Sequence, residues 1–180
     1  GFVILGLASM TMAGFNGALL EMFNHGIITG AMFLLVGVLY ERSHTRELDQ
    51  FGGLGAKMPV YAGFLSVFTL ASLGLPGLSG FVSEFLSLLG AYPVFRLITT
   101  ISVLGMVITA GYFLYMLQRV LLGNLNQKWS NISDINKLEL ATLVPLMLIT
   151  ITIGVNPLVA LKYQASAITA LIQKLGGVLF

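Results

Sequence analysis

The sequence predicts an all-α, polytopic transmembrane helix bundle of about four full spans plus a partial first helix, with one broken helix. Three observations lead there. Of the 180 residues, 57% are hydrophobic and only 9% are charged, where a soluble domain is about 25% charged and about 45–50% apolar. The apolar residues fall in runs that reach or exceed the ~20 residues a helix needs to cross a bilayer core. Short polar connectors separate the runs. A soluble enzyme and a disordered chain are both excluded, since seven acids and nine bases cannot cover a water-soluble core of this size. The chain has no cysteine, which removes disulfides, thiolate-held iron–sulfur clusters and thiolate metal sites. A net charge of +2 is too small and scattered for nucleic-acid binding.

Residues 1–12 are apolar but too short to span. With no start methionine and no basic region ahead of them, they read as the end of a helix in a fragment or a split subunit. Ala13-Gly14-Phe15-Asn16 reads as a turn. The run 17–40 can span alone and contains Glu21, Asn24 and His25. A hydrophilic stretch follows, 41–57. The run 59–90 is longer than one crossing and is interrupted by Gly74-Leu75-Pro76-Gly77 and Gly80. Proline removes a backbone donor and glycine weakens the ladder, so a break is expected near 75–80. Runs 97–122 and 138–161 are separated by connector 123–137, which holds the only tryptophan. The tail 162–180 is moderately amphipathic, suited to the interface or to packing on the bundle. No internal repeat stands out, and 1–180 reads as one transmembrane unit.

Connector 41–57 carries Arg42, Arg46 and Lys57, and stretch 119–137 carries Arg119, Lys128 and Lys137. The alternate connectors carry none and Arg96. The positive-inside rule places the first two in the cytoplasm. The tail then falls outside, with Lys162 and Lys174 arguing mildly against it.

An ionisable side chain inside a bilayer costs roughly 2.5–3.5 kcal/mol on insertion scales. Three are candidates for a proton relay: Glu21, His25 and Glu84. Glu21 and His25 are four apart and share a helix face. His25 lies roughly 12 Å into its run at the helical rise. Glu84 follows the break among Phe81, Val82, Phe85 and Leu86. Titratable groups near freed backbone and water are what a relay needs. The plainer alternatives are a solvated Glu21, a neutral hydrogen-bonding His25 and a structural Glu84. Glu41, Arg42, His44, Arg46, Glu47 and Asp49 read as a solvated, salt-bridged loop, with a subunit contact second. Tyr112 and Tyr115 read as packing residues with hydroxyls turned to a partner. Gly30, Gly37, Gly63, Gly105 and Gly111 read as points of close helix approach.

The string HGIITGAMFLLVGVLYERSHTRELDQFGGL, residues 25–54, resembles the antiporter-like chain M of bacterial proton-pumping NADH–quinone oxidoreductase. The mitochondrial counterpart is chain 4 of respiratory complex I. The block MPVYAGFLSVFTLASLGLPGLSGFVSEFLSLLGAY (58–92), the segment GYFLYMLQRVLLG (111–123) and Gly154-Val155-Asn156-Pro157 continue the likeness. The motif Tyr40-Glu41-Arg42, His44, Thr45-Arg46 is the most specific. The LPG block is shared more widely among antiporter-like subunits.

The resemblance implies the C-terminal third of a longer subunit, periplasmic termini and a helix broken in mid-membrane. It places the family's pumping histidine on His25 and its glutamate on Glu84. Position 21 departs from the family's usual glutamine, and Glu21 inherits no family role. The implied function is proton translocation coupled to electron transfer in other subunits. The chain would be an enzyme only as a subunit, with no catalytic, cofactor or metal site of its own. NADH, flavin, iron–sulfur clusters and quinone are expected in partner subunits, membrane and peripheral. The implied location is the bacterial plasma (inner) membrane, multi-pass in the lipid bilayer. A subunit of a multi-subunit cation/proton antiporter or membrane-bound hydrogenase is an alternative, and a structural membrane scaffold without transport is another. No nucleophile–base constellation or cofactor loop supports a self-contained enzyme.

Overall fold

A computed structural model describes residues 1–179. These form helices α1 (Phe2–Ala8), α2 (Met12–Ser43), α3 (Leu54–Lys57), α4 (Pro59–Ser72), α5 (Ser79–Ala91), α6 (Arg96–Leu121), α7 (Lys137–Val155) and α8 (Leu158–Leu179). No strand occurs among the described residues. Helices α2, α6 and α7 are each long and apolar enough to cross a membrane, and α4 and α5 are shorter apolar helices.

The first turn lies at 9–11, and not at Ala13–Asn16, which is helical. Thr11 decides this. Its backbone is extended and its hydroxyl accepts from Gly14 N at 3.0 Å, an N-cap that starts α2 early. Met10 takes the left-handed conformation (φ 53°) to make the turn, and Asn16 Nδ2 bonds back to Met12 O at 2.8 Å inside the helix. At its other end α2 runs through Glu41, Arg42 and Ser43, and stops where His44 turns left-handed at φ 53°.

Helix α4 begins with proline at its first position, where a missing N–H costs nothing. The next two amides, Val60 N and Tyr61 N, donate to the Asp134 carboxylate at 2.8 and 3.0 Å. The expected break is present, two residues earlier than anticipated. Residues 73–78 are irregular, and Ser79 and Gly80 already belong to α5. Gly74 (φ 78°) and Gly77 (φ 95°) bracket Leu75-Pro76 in conformations that favour glycine. Helix α7 covers one side of the break, where a Cβ on Gly154 would strike Gly77 O and Leu78, while Leu75, Pro76 and Gly77 stay exposed on the other. Lipid could not satisfy this irregular backbone, so protein must cover it.

Connectors 44–53 and 122–136 fold onto each other at one end of the bundle. Trp129 Nε1 donates to Gln50 O at 2.8 Å and its ring stacks on Phe51 at 5.7 Å. Gly53 N donates to Leu122 O at 2.9 Å, and Arg119 pairs with Asp49. Arg42 is clamped rather than solvated. It forms a two-pronged pair with Glu139 (2.9 and 2.8 Å) and donates to the carbonyls of Val38, Ser133 and Asp134. Leu35, Leu54, Met58, Tyr61, Phe64, Phe68, Trp129 and Leu143 make the apolar core under this end.

The glycines that permit close approach differ from those expected. Around Gly30, Gly37, Gly63, Gly105 and Gly111 a Cβ would meet nothing. At Gly6, Gly14, Gly17, Gly80 and Gly90 it would meet backbone or side-chain atoms of α1, α2, α4 or α5. Helix α6 buries little beyond Thr99, Val120 and Leu121. The tail helix α8 packs on the bundle through a buried Ile168 and through Gln164 Nε2, which donates to Asn16 O at 3.1 Å. Phe180, the last residue of that amphipathic tail, lies outside the described residues.

Candidate functional site

The site grows from the α2–α5 contact. Ser79, Ser83 and Ser87, four residues apart, line the buried face of α5. Opposite them on α2 are Gly17, Leu20, Asn24 and Ile28, all buried, with Gly17 flush against Ser87. Small residues on both sides bring the backbones close. Asn24, 1% exposed, donates through Nδ2 to Ser79 O (2.8 Å) and Ser83 Oγ (3.2 Å). Ser83 Oγ donates to Glu21 Oε2 at 2.6 Å.

Glu84 sits one residue further along α5, at the edge of that contact. It is 8% exposed, and its Oε2 has no hydrogen-bond partner among the described residues. The break makes space for it: a Cβ on Gly74 would lie 2.6 Å from that oxygen. Gly74 therefore serves two purposes, a left-handed turn and a berth for a carboxylate.

Glu21, His25 and Glu84 line one cavity of about 710 Å³, together with Thr29, Thr109 and Tyr112. That volume has room for many water molecules, and its lining is mostly apolar, with the polar groups gathered at Glu21, His25, Thr29, Glu84, Thr109 and Tyr112. No direct hydrogen bond joins the three titratable side chains to one another among the described residues. Thr29 Oγ1 lies 3.4 Å from either ring nitrogen of His25. His25 is exposed, on the cavity side of α2. Tyr112 borders the same cavity with its ring tilted against Phe113. Tyr115 lies under the Arg119 guanidinium, 5.8 Å away. No cluster of histidine and carboxylate side chains suited to a metal ion occurs among the described residues.

Sequence reasoning missed Ser83 and the second purpose of Gly74, and noticed Asn24 without giving it work. The available signal was the four-residue spacing of Ser79, Ser83 and Ser87 around Glu84, which puts three hydroxyls on one helix face.

Residues 1–109 match the family described as NADH:quinone oxidoreductase/Mrp antiporter, TM. NADH-quinone oxidoreductase subunit M of Rickettsia felis is 42% identical over 175 residues, which is 97% of this chain and 36% of that protein. NADH-ubiquinone oxidoreductase chain 4 of Marchantia polymorpha is 38% identical over 173 residues, 96% of this chain and 35% of that one. Among solved structures, a chain in respiratory complex I from Thermus thermophilus with bound NADH gives a TM-score of 0.86 at 33% identity. The overlap covers 95% of this chain and 37% of that one. The chain thus spans about a third of the length of the relatives it matches. Sequence match over more than half the chain, joined to a closely shared helical fold, gives the conclusion that it belongs to the NADH:quinone oxidoreductase/Mrp antiporter transmembrane family.

Proposed function

We propose that this chain is the C-terminal part of a proton-translocating membrane subunit of NADH–quinone oxidoreductase, respiratory complex I, in a bacterial plasma membrane. The observation that carries the proposal is Glu84. A carboxyl group at a mid-membrane helix break, with one oxygen unpartnered, borders a cavity that His25 also borders. Burying such a group without a partner is costly, and intramembrane carboxylates are retained for function by default. The names of the relatives, subunit M and chain 4, supply the complex.

In this scheme a proton arrives from the preceding part of the subunit and reaches His25, whose imidazole can both accept and donate a proton. Cavity water carries it to Glu84, and from there it leaves on the outer side. Direct contact is unnecessary, since protons move along hydrated chains. Electron transfer takes place in other subunits, which would hold NADH, flavin, iron–sulfur clusters and quinone. The other membrane subunits and the peripheral arm would be its partners.

Glu84→Gln keeps the volume and removes the titratable proton. In the assembled complex with the full-length subunit, we expect coupled proton uptake into sealed vesicles to fall by at least about tenfold, a barrier rise of roughly 1.4 kcal/mol. Glu84→Asp should retain part of the activity, and His25→Ala should lose less than Glu84→Gln because water can fill the vacated space. Undiminished pumping by Glu84→Gln at matched complex abundance would leave a non-transporting scaffold as the better account. The Mrp antiporter in the family description favours a second reading, a subunit of a multi-subunit cation/proton antiporter. It keeps the same relay and changes only the partners.

A further inference from the structure

We propose that Glu21 is a second proton-accepting carboxylate of this site and that Ser83 is the residue that positions it. The inference rests on the relay just proposed and assigns a role to a residue that the family likeness leaves without one.

Ser83 has one hydroxyl proton and three acceptors within reach: Glu21 Oε2 at 2.6 Å, Gly80 O at 3.0 Å and Ser79 O at 3.3 Å. While Glu21 is ionised, the shortest, charge-assisted bond holds that proton. Asn24 Nδ2 meanwhile donates to the serine oxygen at 3.2 Å and is itself anchored on Ser79 O. The hydroxyl is therefore fixed on its acceptor side and free to turn on its donor side. Once Glu21 is protonated the charge that strengthened this bond is gone, and the Gly80 carbonyl on the same helix as Ser83 competes for the hydroxyl proton. Ser83 thus holds Glu21 more firmly in its charged form than in its neutral form.

Transfer between the carboxyl groups balances simply. Glu84 in its acid form gives a proton to cavity water, and the hydrated proton passes to the Glu21 carboxylate. Glu84 is left as a carboxylate, Glu21 becomes the acid, and no electron moves. The titratable side chains bordering the cavity are Glu21 and His25 from α2, Glu84 from α5 and Tyr112 from α6; α1 and α4 contribute none. Arg42 and Glu139 neutralise each other in the clamp at the connector end.

The test uses the assembled complex with the full-length subunit in sealed vesicles, and reads proton uptake against pH. Glu21→Gln should displace the midpoint of the profile by at least about half a pH unit, since it removes one of the two carboxyl groups that border the same cavity, and a nearby like charge shifts a carboxyl group. Ser83→Ala should displace it in the same direction. Added to Glu21→Gln, Ser83→Ala should displace it no further, because its only proposed action is through Glu21. An unchanged profile for Glu21→Gln overturns the proposal. So does a uniform loss of activity without a shift, a Ser83→Ala shift that persists in the Glu21→Gln background, or failure of both single variants to assemble. Glu84→Gln separates the two ideas. If it abolishes pumping while Glu21→Gln leaves the profile unmoved, the relay stands and the second carboxylate falls. If Glu84→Gln pumps fully, the relay itself falls.

Discussion

Gly74 leaves room for the Glu84 carboxyl group, because a Cβ at position 74 would lie 2.6 Å from Glu84 Oε2. Gly74 adopts φ 78°, a region that costs an L-residue roughly 1–2 kcal/mol. An alanine there would also place its Cβ against Glu84 Oε2. Gly74→Ala should therefore lower the stability of the subunit by roughly 1–2 kcal/mol and also displace the carboxyl group from its berth. The expected result is an assembled complex with reduced proton uptake. Gly77→Ala, at φ 95° but with open space around it, should show the stability loss without the pumping loss. If both variants pump equally, the berth is unimportant. At this scale the charged members of the site were legible, because a carboxylate or histidine in an apolar run is conspicuous. Asn24 and Ser83 were not. Neutral polar side chains occur widely in membrane helices as packing and hydrogen-bonding groups, and only the facing helix shows which ones meet.

At the scale of the element, local chemistry fixed boundaries that run length could not. Thr11 moved the first turn forward by capping α2, while Gly14 and Asn16, which resemble turn residues on paper, were absorbed into the helix. Broken-helix character was readable from Gly74-Leu75-Pro76-Gly77, since proline removes a ladder donor and the flanking glycines weaken the helix on both sides. Which glycines pack was not readable, because a glycine against a neighbour and a glycine against open space look alike in sequence. The Arg42–Glu139 pair shows a further limit, since 97 residues separate its partners. Their side chains are 14% and 15% exposed, enough shielding for the pair to matter more than a surface ion pair. Glu139 also closes a capping box with Asn136 at the start of α7. Arg42→Met should destabilise the subunit by about 2–3 kcal/mol, through the unpaired carboxylate and three carbonyls losing their donor. A double-mutant cycle with Glu139→Gln, read by denaturant unfolding of the full-length subunit, should return a coupling of about 1–3 kcal/mol. Additive single effects would show that the clamp is incidental.

At the scale of the whole molecule, the bundle has two unlike ends. Connectors 44–53 and 122–136 interlock through Trp129, Gln50 and Gly53 at one of them. At the other, the Thr11 hydroxyl donates to Gly90 O at 3.1 Å, tying the 9–11 turn to the end of α5. Arg46, Lys57, Arg119, Lys128 and Lys137 lie in or beside the interlocked connectors, with Arg42 beneath them, while the opposite turns carry Arg96 alone. That asymmetry in short loops predicts the interlocked end in the cytoplasm and the Gly90 end outside. The charge count puts the two basic connectors on one side, and the Trp129–Gln50 hydrogen bond requires the same. Cysteine labelling checks the remaining step; these 180 residues contain no thiol, and any elsewhere in the full-length subunit is first replaced by serine. Ser43 is a poor reporter at 7% exposed. Glu47 and Tyr92 are exposed and belong to opposite ends. With the full-length subunit in sealed right-side-out membranes, an impermeant maleimide should label Tyr92→Cys at once and Glu47→Cys only after the membrane is opened. Inverted vesicles should reverse the order. Labelling of both from one side would contradict a bundle whose α4 and α5 together cross the membrane between those positions. The opposite order in both preparations would keep the fold but point the Glu84 cavity the other way, and the proposed exit path would become an entry path.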